Sequence, residues 1–234
     1  MSTAIILSQG TEITTGRTLD SNSHWICQQL WNLGYTVQYI LTVPDSLESI
    51  ANAFQNSAGK VDLIVSTGGL GPTEDDYTIR GLVEAFDLTL AYNEQAWQHI
   101  ETHYEKRNRT PPEINQKMAY LPEEATLIDN PLGTAMGISI TKRDSIIYCF
   151  PGVPLEMKGM LLASVPEAST QHQIVEIATL GISESTLIKR LAPFIPPEVQ
   201  VGYQASRRGN IVKLAFAKQI NHALIQDIKK EISE

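Results

Sequence analysis

One stretch of the chain, residues 61–78, decides the fold, and it reads VDLIVSTGGLGPTEDDYT. It begins with a run of mostly β-branched or apolar residues from Val61 to Val65, which is the pattern of a strand buried on both faces. Three glycines and a proline follow within residues 68–72. Glycine tolerates positive φ and lets the backbone come close to a ligand. The stretch therefore predicts a buried strand that ends in a sharp bend suited to ligand contact.

Three carboxylates, Glu74, Asp75 and Asp76, directly follow this bend. Backbone amides in such a bend can form a concave anion-binding nest, whereas acidic residues at the start of a helix are also ordinary capping groups. Two interpretations therefore stay open. One is a phosphate cradle whose carboxylates hold a divalent cation, and the other is a tight strand-to-helix turn followed by a well-capped helix.

In the part of the chain before this stretch, predicted strands alternate with predicted helices. We predict strands at 4–8 and 35–43 and helices at 19–33 and from residue 46, before the central strand. This order predicts an α/β fold with a parallel sheet and right-handed crossovers. Glu12 and Asp45 each follow a predicted strand, as the glycine bend does. Because ligands collect beyond the carboxyl ends of such strands, we expect these groups to converge.

The remainder of the chain predicts two domains, 1–170 and 171–234. The first continues with a helix at 93–107, a shorter one at 111–118, a strand hairpin at 136–140 and 145–150, and a helix that follows Pro154. The second has the order β-α-β-β-α, with strands at 174–180, 199–205 and 211–217 and helices at 183–191 and 222–232. A basic turn that includes Arg207 and Arg208 precedes its last strand.

Composition excludes several classes of protein. The 234 residues are 42% hydrophobic, which is typical of a folded chain. No apolar run approaches the roughly 20 residues that span a bilayer, and the N-terminus lacks the pattern of a signal peptide. Cys27 and Cys149 lie far apart and suggest no disulfide framework. We therefore expect a cytoplasmic protein that has no membrane partner.

Charge is unevenly distributed along the chain. From Thr170 onward, 8 basic residues face 6 acidic ones, so this part carries +2; since the whole chain carries −8, the part before it carries −10. Such an acidic body repels nucleic-acid backbone, and we expect no nucleic-acid partner. A phosphate ligand would meet the same repulsion, which is a reason to expect a metal ion at the bend.

Short motifs in the same order resemble a known family along nearly the whole chain. The sequence resembles the N-terminal region of competence/damage-inducible protein CinA, within the molybdopterin-binding (MoCF, MogA-like) superfamily. The TGGLGPTEDD motif at 67–76 is the specific match. The weaker matches are Gly10-Thr11-Glu12-Ile13 with Gly16, Asp20-Ser21-Asn22, Val43-Pro44-Asp45, Asn115 with Lys117, Leu121-Pro122, Asn130-Pro131 with Gly133-Thr134-Ala135, and Pro151-Gly152-Val153-Pro154 with Glu156-Met157-Lys158.

The resemblance implies a MogA-like α/β domain of three layers, a small KH-like α+β domain at the C-terminus, and a homo-oligomer, either a dimer or a trimer. It implies a small-molecule nucleotide diphosphate as ligand and a metal-dependent pyrophosphatase that cleaves ADP-ribose or a related dinucleotide, with Mg²⁺, Mn²⁺ or Co²⁺. It implies catalysis by Asp45, Asp75 and Asp76, and cation binding by these three together with Glu12. The ligand-contacting residues that it implies are Gly10, Glu12, Asn22, Gly68, Gly69, Leu70, Gly71, Pro72, Thr73, Gly133, Thr134, Pro151, Gly152, Pro154 and Lys158.

One departure from the family pattern concerns activity. The family usually reads Gly-Asp-Glu where this chain has Gly10-Thr11-Glu12. A hydroxyl is a much weaker cation ligand than a carboxylate. Two alternatives to a hydrolase therefore stay open: a protein that binds a nucleotide or molybdopterin with little turnover, and a non-enzymatic oligomerisation or interaction module. The C-terminal amidase domain of longer relatives has no counterpart in this sequence, so deamidation is not implied.

Overall fold

The computed structural model describes residues 2–168, 173–197, 199–206, 209–216 and 221–233. The chain divides into two compact units. The larger consists of Ser2–Trp31 and Tyr35–Glu167, and the smaller of Met1, Asn32–Gly34 and Ala168–Glu234. The domain boundary predicted at residue 170 and the basic residues Arg207 and Arg208 lie outside the described residues.

The larger unit alternates strands and helices as the sequence predicts. Its strands are β1 (Thr3–Gln9), β2 (Thr36–Val43), β3 (Leu63–Thr67), β4 (Leu90–Tyr92), β5 (Tyr120–Pro122), β6 (Thr126–Ile128), β7 (Gly137–Lys142) and β8 (Ser145–Phe150). Its α-helices are α1 (Thr11–Thr14), α2 (Ser21–Asn32), α3 (Leu47–Ser57), α4 (Thr78–Phe86), α5 (Glu94–Glu105) and α6 (Pro154–Ser164). The short helix predicted at 111–118 is a 3-10 helix, Glu113–Ala119.

A mixed six-stranded sheet forms the centre of this unit, in the order β2-β1-β3-β8-β7-β6. The first four strands are parallel, and β7 and β6 are added antiparallel. All five residues of β3 are buried, as expected for a strand covered by helices on both faces. The predicted α/β fold is confirmed, and the hairpin predicted at 136–150 is the β7–β8 pair.

Local chemistry sets the ends of the helices. α2 begins at Ser21 and not at Leu19, because the Asp20 carboxylate accepts a hydrogen bond from the Ser23 amide at 2.9 Å and so caps the first turn. Leu19 is left outside the helix and is 87% exposed. α3 begins after Ser46, whose hydroxyl accepts a hydrogen bond from the amide of Ser49.

One hydrophobic core cluster of the larger unit joins side chains of the sheet with side chains of α3, α4 and α5. Phe54, Leu82 and Ile100 supply the core side chains of these three helices, and each is at most 1% exposed. The helices α3 and α4 come especially close at Gly81, since a Cβ there would overlap the side chain of Ile50. α4 begins at Thr78, two residues after Asp76, which is the last residue of the acidic turn (residues 73–76).

The smaller unit is built from β9 (Gln173–Thr179), α7 (Glu184–Leu191), β10 (Gln200–Ser206), β11 (Gly209–Phe216) and α8 (His222–Ser233), with a 3-10 turn at Ala192–Phe194. Its antiparallel sheet has the order β10-β11-β9. Leu187 and Leu191 of α7 and Ile228 of α8 pack on Val212 and Leu214 of β11 to form its core. The predicted β-α-β-β-α order is confirmed.

Two further predictions concern the whole chain. Among the described residues, no helix is both long enough and apolar enough to span a bilayer. Cys27 and Cys149 are free thiols, the first partly buried and the second fully buried, in keeping with the predicted absence of a disulfide framework. Cytoplasmic location and a homo-oligomer stay predictions.

Candidate functional site

The carboxyl ends of the parallel strands meet in one region of the larger unit. The amide of Gly10, after β1, donates to the carbonyl of Val43 at the end of β2 at 3.1 Å. The amide of Gly68, after β3, donates to the carbonyl of Phe150 at the end of β8 at 3.0 Å. Backbone hydrogen bonds therefore join the ends of β1 and β2 as one pair and the ends of β3 and β8 as a second pair, at the same edge of the sheet.

The bend after β3 needs glycine at two successive positions. Gly68 and Gly69 have φ values of 105° and 66°, a region that residues with a Cβ rarely adopt. A Cβ at Gly68 would lie 2.7 Å from the carbonyl oxygen of Gln9, and one at Gly69 would lie 2.5 Å from the Thr78 hydroxyl. The bend is therefore packed tightly from behind, which leaves its other side to face a cavity.

A buried polar network holds the bend from behind. The Thr78 hydroxyl lies 2.7 Å from Gln9 Oε1 and 2.6 Å from the carbonyl of Gly68, and it donates its one proton to one of these two acceptors. The Thr78 amide donates to the carbonyl of Gly69 at 3.1 Å. Gln9 Nε2 donates to the hydroxyl of Ser66 at 2.6 Å. Because α4 begins at Thr78, the position of the bend is tied to the helix that follows it.

The acidic turn closes on Thr73. Asp76 Oδ2 accepts a hydrogen bond from the Thr73 amide at 2.8 Å. The Thr73 hydroxyl lies 2.6 Å from Asp76 Oδ2 and 2.5 Å from Asp75 Oδ1, and it donates its one proton to one of these two carboxylates. The hydrogen bond from Thr73 lowers the pKa of Asp75. The Asp76 carboxylate also lies against Gly71, since a Cβ at Gly71 would fall 2.6 Å from Asp76 Oδ2.

A lysine from the 3-10 helix holds the same turn from the other side. Lys117 Nζ donates to the carbonyls of Thr73 and Asp76, the second at 2.9 Å. Burial lowers the pKa of the Lys117 ammonium, although the nearby Asp76 carboxylate acts in the opposite direction. The lysine therefore brings a positive charge next to three successive acidic residues and fixes the ends of their turn.

Asp45 is oriented by the residue that departs from the family pattern. Asp45 Oδ2 accepts a hydrogen bond from the Thr11 amide at 2.7 Å, and the Thr11 hydroxyl accepts one from the Asp45 amide at 3.1 Å. Glu12 follows in the first turn of α1, with its carboxylate against Gly10. Thr11 therefore joins the loops after β1 and β2 through a pair of reciprocal hydrogen bonds.

These loops surround a cavity of about 450 Å³. Most of the site residues predicted from the sequence line it: Gly10, Glu12, Asp45, Gly68, Gly69, Leu70, Gly71, Pro72, Thr73, Asp75, Asp76, Thr134, Pro151 and Gly152. The predicted convergence of Glu12, Asp45 and the glycine bend at one cavity is therefore present in the structure. The volume falls in the range of about 300–1,000 Å³ that is typical of small-molecule sites.

Four of the predicted site residues lie outside this lining. Asn22 supports the floor, because its amide donates to the carbonyl of Gly152 at 2.8 Å and to the Thr67 hydroxyl at 3.2 Å. Gly133 packs against the side chain of Glu156, and Pro154 occupies the first turn of α6. Lys158 points to Trp25, with its Nζ 5.3 Å from the ring centroid.

Val153, within the predicted Pro151–Pro154 segment, also lines the cavity. The lining residues that were not predicted are Gln9, Met118, Ala135 and Glu156. Glu156 is the most informative of these because it places a further carboxylate at the wall formed by α6. Its Oε2 accepts a hydrogen bond from the Asn130 amide at 2.7 Å, which joins two of the weaker family motifs. Their joint presence was the available signal for a role of Glu156 at the site.

The carboxylates are spread around the cavity and do not form a cage. In the part of the chain that the structure describes, no three His, Cys, Asp or Glu side chains lie together as a group that could hold a metal ion. An all-protein metal site therefore does not fit these residues. A Mg²⁺-like cation that is bound through one or two carboxylates and through ligand phosphates does fit, and such binding is common for phosphate substrates. Cation binding by Glu12, Asp45, Asp75 and Asp76 stays a prediction.

Comparison with known proteins identifies the class of protein. Residues 5–170 match the family model described as a probable molybdopterin binding domain. The chain therefore belongs to the molybdopterin-binding domain family.

Within this family the similarity is to CinA. Over 97% of its own length, the chain is 32% identical to a CinA-like protein of Shewanella frigidimarina. Over 95% of its own length, it is 36% identical to a CinA-like protein of Syntrophomonas wolfei. The matched regions make up 55% and 56% of those proteins, so the chain spans about half of their length. The crystal structure of CinA from Thermoplasma acidophilum matches with 35% identity and a TM-score of 0.65, over 69% of this chain and 96% of that one. The resemblance to the N-terminal region of CinA is confirmed.

Proposed function

We propose that the larger unit binds a nucleotide diphosphate in the 450 Å³ cavity and hydrolyses its diphosphate bond, with ADP-ribose or a related dinucleotide as substrate. One observation carries the proposal. The glycine bend and the carboxylates of Asp45, Asp75 and Asp76 line the same cavity, although the loops that hold them are far apart in sequence. Backbone N–H groups in such a bend can bind phosphate oxygens, and carboxylates can bind the cation that accompanies the phosphates.

Each part of the site has a role in this proposal. The bend contacts the phosphate oxygens through the amides of residues 69–71, because the Gly68 amide already donates to the carbonyl of Phe150. The network of Gln9 and Thr78 keeps those amides in place. Asp45 and Asp76 are held by hydrogen bonds from Thr11 and Thr73, so they are oriented before the ligand arrives. Glu156 lines the same cavity.

A divalent cation carried in with the diphosphate would neutralise charge on the phosphoryl oxygens and lower the pKa of a bound water. The chain's own contribution is to position the phosphates, to limit their motion, and to counter the repulsion that its acidic body creates. Lys117 supplies part of this counter-charge from behind the acidic turn. Asp45, Asp76 and Glu12 are the side chains we propose to contact the cation.

Binding with little turnover is the second candidate function, and one contact favours it. Asp45 Oδ2 already accepts a hydrogen bond from the Thr11 amide, and the Thr11 side chain offers a hydroxyl where the family usually has a carboxylate. A cation would therefore have one carboxylate ligand fewer at this site. On this alternative the nucleotide or molybdopterin binds and is released unchanged.

The test is incubation of the purified protein with ADP-ribose and Mg²⁺, Mn²⁺ or Co²⁺, with AMP followed by chromatography. The hydrolase predicts AMP release that Asp76→Asn abolishes. Glu74→Gln is the matched control, because Glu74 belongs to the same acidic turn but does not line the cavity. Tight nucleotide binding in calorimetry without AMP release supports the second candidate. Absence of both binding and release would contradict both, and would favour the interaction module.

A further inference from the structure

A second, smaller cavity also adjoins the glycine bend. Its volume is about 220 Å³, and it shares Gly69, Leu70, Gly71, Asp76 and Met118 with the larger cavity. Leu70 and Met118, which are 6% and 7% exposed, line both cavities. The volume is below the range of about 300–1,000 Å³ that holds a whole small-molecule ligand. It suits one ring system.

The remaining walls of this cavity differ in chemistry from those of the larger one. Ile79 of α4, Leu90 of β4 and Tyr120 of β5 give it apolar and aromatic surfaces, and the exposed Arg80 adds a guanidinium. The acidic residues Glu12, Asp45, Asp75 and Glu156 line only the larger cavity. The larger cavity is therefore the more acidic of the two, whereas the smaller one combines apolar walls with Arg80 and Lys117 and has Asp76 as its acidic lining residue.

Exposed aromatic surface marks the mouth of the small cavity. Leu90 and Tyr120 are 39% and 47% exposed. Tyr120 pairs edge-to-face with Tyr92 across the β4–β5 pair, at 5.5 Å between ring centroids. Exposed apolar surface beside a cavity indicates a binding site. Heteroaromatic bases stack on tyrosine faces and on arginine planes, and both kinds of group are present here.

We infer that the small cavity is the subsite for the nucleobase of the ligand, so that one nucleotide diphosphate spans the glycine bend with its phosphates in the larger cavity and its base against Tyr120. The inference rests on the proposed function for the nature of the ligand. Tyr120 and Arg80 contact the base, and Leu70 and Met118 line both cavities. The bend then serves both halves of the ligand, with amides for the phosphates and the Leu70 side chain for the base.

The test compares ligands with and without a base by calorimetry, using ADP, inorganic pyrophosphate and adenosine. We expect wild-type protein to bind ADP at least tenfold more tightly than pyrophosphate. Tyr120→Ser should remove about tenfold or more of the ADP affinity and leave the affinity for pyrophosphate unchanged. Tyr120→Phe should behave as wild type because it keeps the ring, which separates loss of stacking from loss of folding.

Tyr92→Ser is the matched control. Tyr92 has a similar exposure, 44%, and loses the same edge-to-face contact, but it does not line the cavity. The subsite is overturned if Tyr120→Ser and Tyr92→Ser weaken ADP binding equally. It is also overturned if the wild-type protein binds ADP and pyrophosphate with equal affinity. Either result leaves the proposed diphosphate site intact. If neither ADP nor pyrophosphate binds, the proposed function fails. In that case adenosine contacts to the Tyr120 ring, seen by NMR, would still support the subsite, and their absence would reject it.

Discussion

Replacing Gly68 by alanine is the sharpest test of how the bend is built. At φ 105°, a residue with a Cβ is strained by about 1–2 kcal/mol. The new Cβ would also lie 2.7 Å from the carbonyl oxygen of Gln9, which is backbone and cannot rotate away. Displacing packed atoms costs about 1–3 kcal/mol more. We therefore expect Gly68→Ala to lower the free energy of unfolding by about 2–5 kcal/mol.

Tryptophan fluorescence in urea measures this loss in the unit concerned. The three tryptophans, Trp25, Trp31 and Trp97, all belong to the larger unit, so the signal reports its unfolding and not that of the smaller unit. Gly152→Ala is the matched control. Gly152 lines the same cavity, has no positive φ, and a Cβ there would meet only the Cα of Gly68 at an ordinary 3.5 Å.

The two variants should therefore separate clearly. Gly152→Ala is expected to stay within about 0.5 kcal/mol of wild type. If Gly68→Ala is equally mild at an unchanged m-value, the bend can relax without cost, and the claim that its amides are held rigidly toward the cavity is refuted. If Gly152→Ala is as damaging as Gly68→Ala, the loss does not come from the geometry of the bend.

Three further predictions concern individual side chains. Lys117→Met removes two hydrogen bonds to the carbonyls of the acidic turn. It should therefore lower the free energy of unfolding by about 1–3 kcal/mol and weaken ADP binding. Unchanged urea and calorimetric titrations would show that the turn does not need this contact. The pKa of Asp75 is lowered in the folded state, so its stabilising contribution is complete above its unfolded pKa of about 3.9 and is lost as the pH falls through its folded pKa. The difference in unfolding free energy between wild type and Asp75→Asn should therefore shrink as the pH falls below about 4, and a difference independent of pH would refute this. Burial raises the pKa of the Cys149 thiol, so a thiol reagent should label Cys27 in the native protein but Cys149 only after unfolding, as mass spectrometry of the labelled peptides would show.

The sequence predicted much of the site because the relevant signals are local. The glycine bend, the carboxylates after it, and Asp45 after β2 can be read from composition and strand order alone. The position of these groups at the carboxyl ends of parallel strands then follows from a general rule of α/β folds. Met118 carries no such local signal, because an apolar side chain beside a cavity has the same pattern as one in the core.

The chain's own sequence determined which elements form, in what order, and where the backbone must bend: β-branched runs specify buried strands, and glycine specifies the positive φ values at 68 and 69. Only the tertiary structure decided which of these loops touch. It placed Gln9 behind the bend, Lys117 across the acidic turn and Glu156 in the lining of the cavity. The physical reason is that such contacts depend on strand order and on the crossing of helices over the sheet. Asn22 and Gly152, which are 130 positions apart, become neighbours only in the β2-β1-β3-β8 arrangement of strands, and no local periodicity records that order.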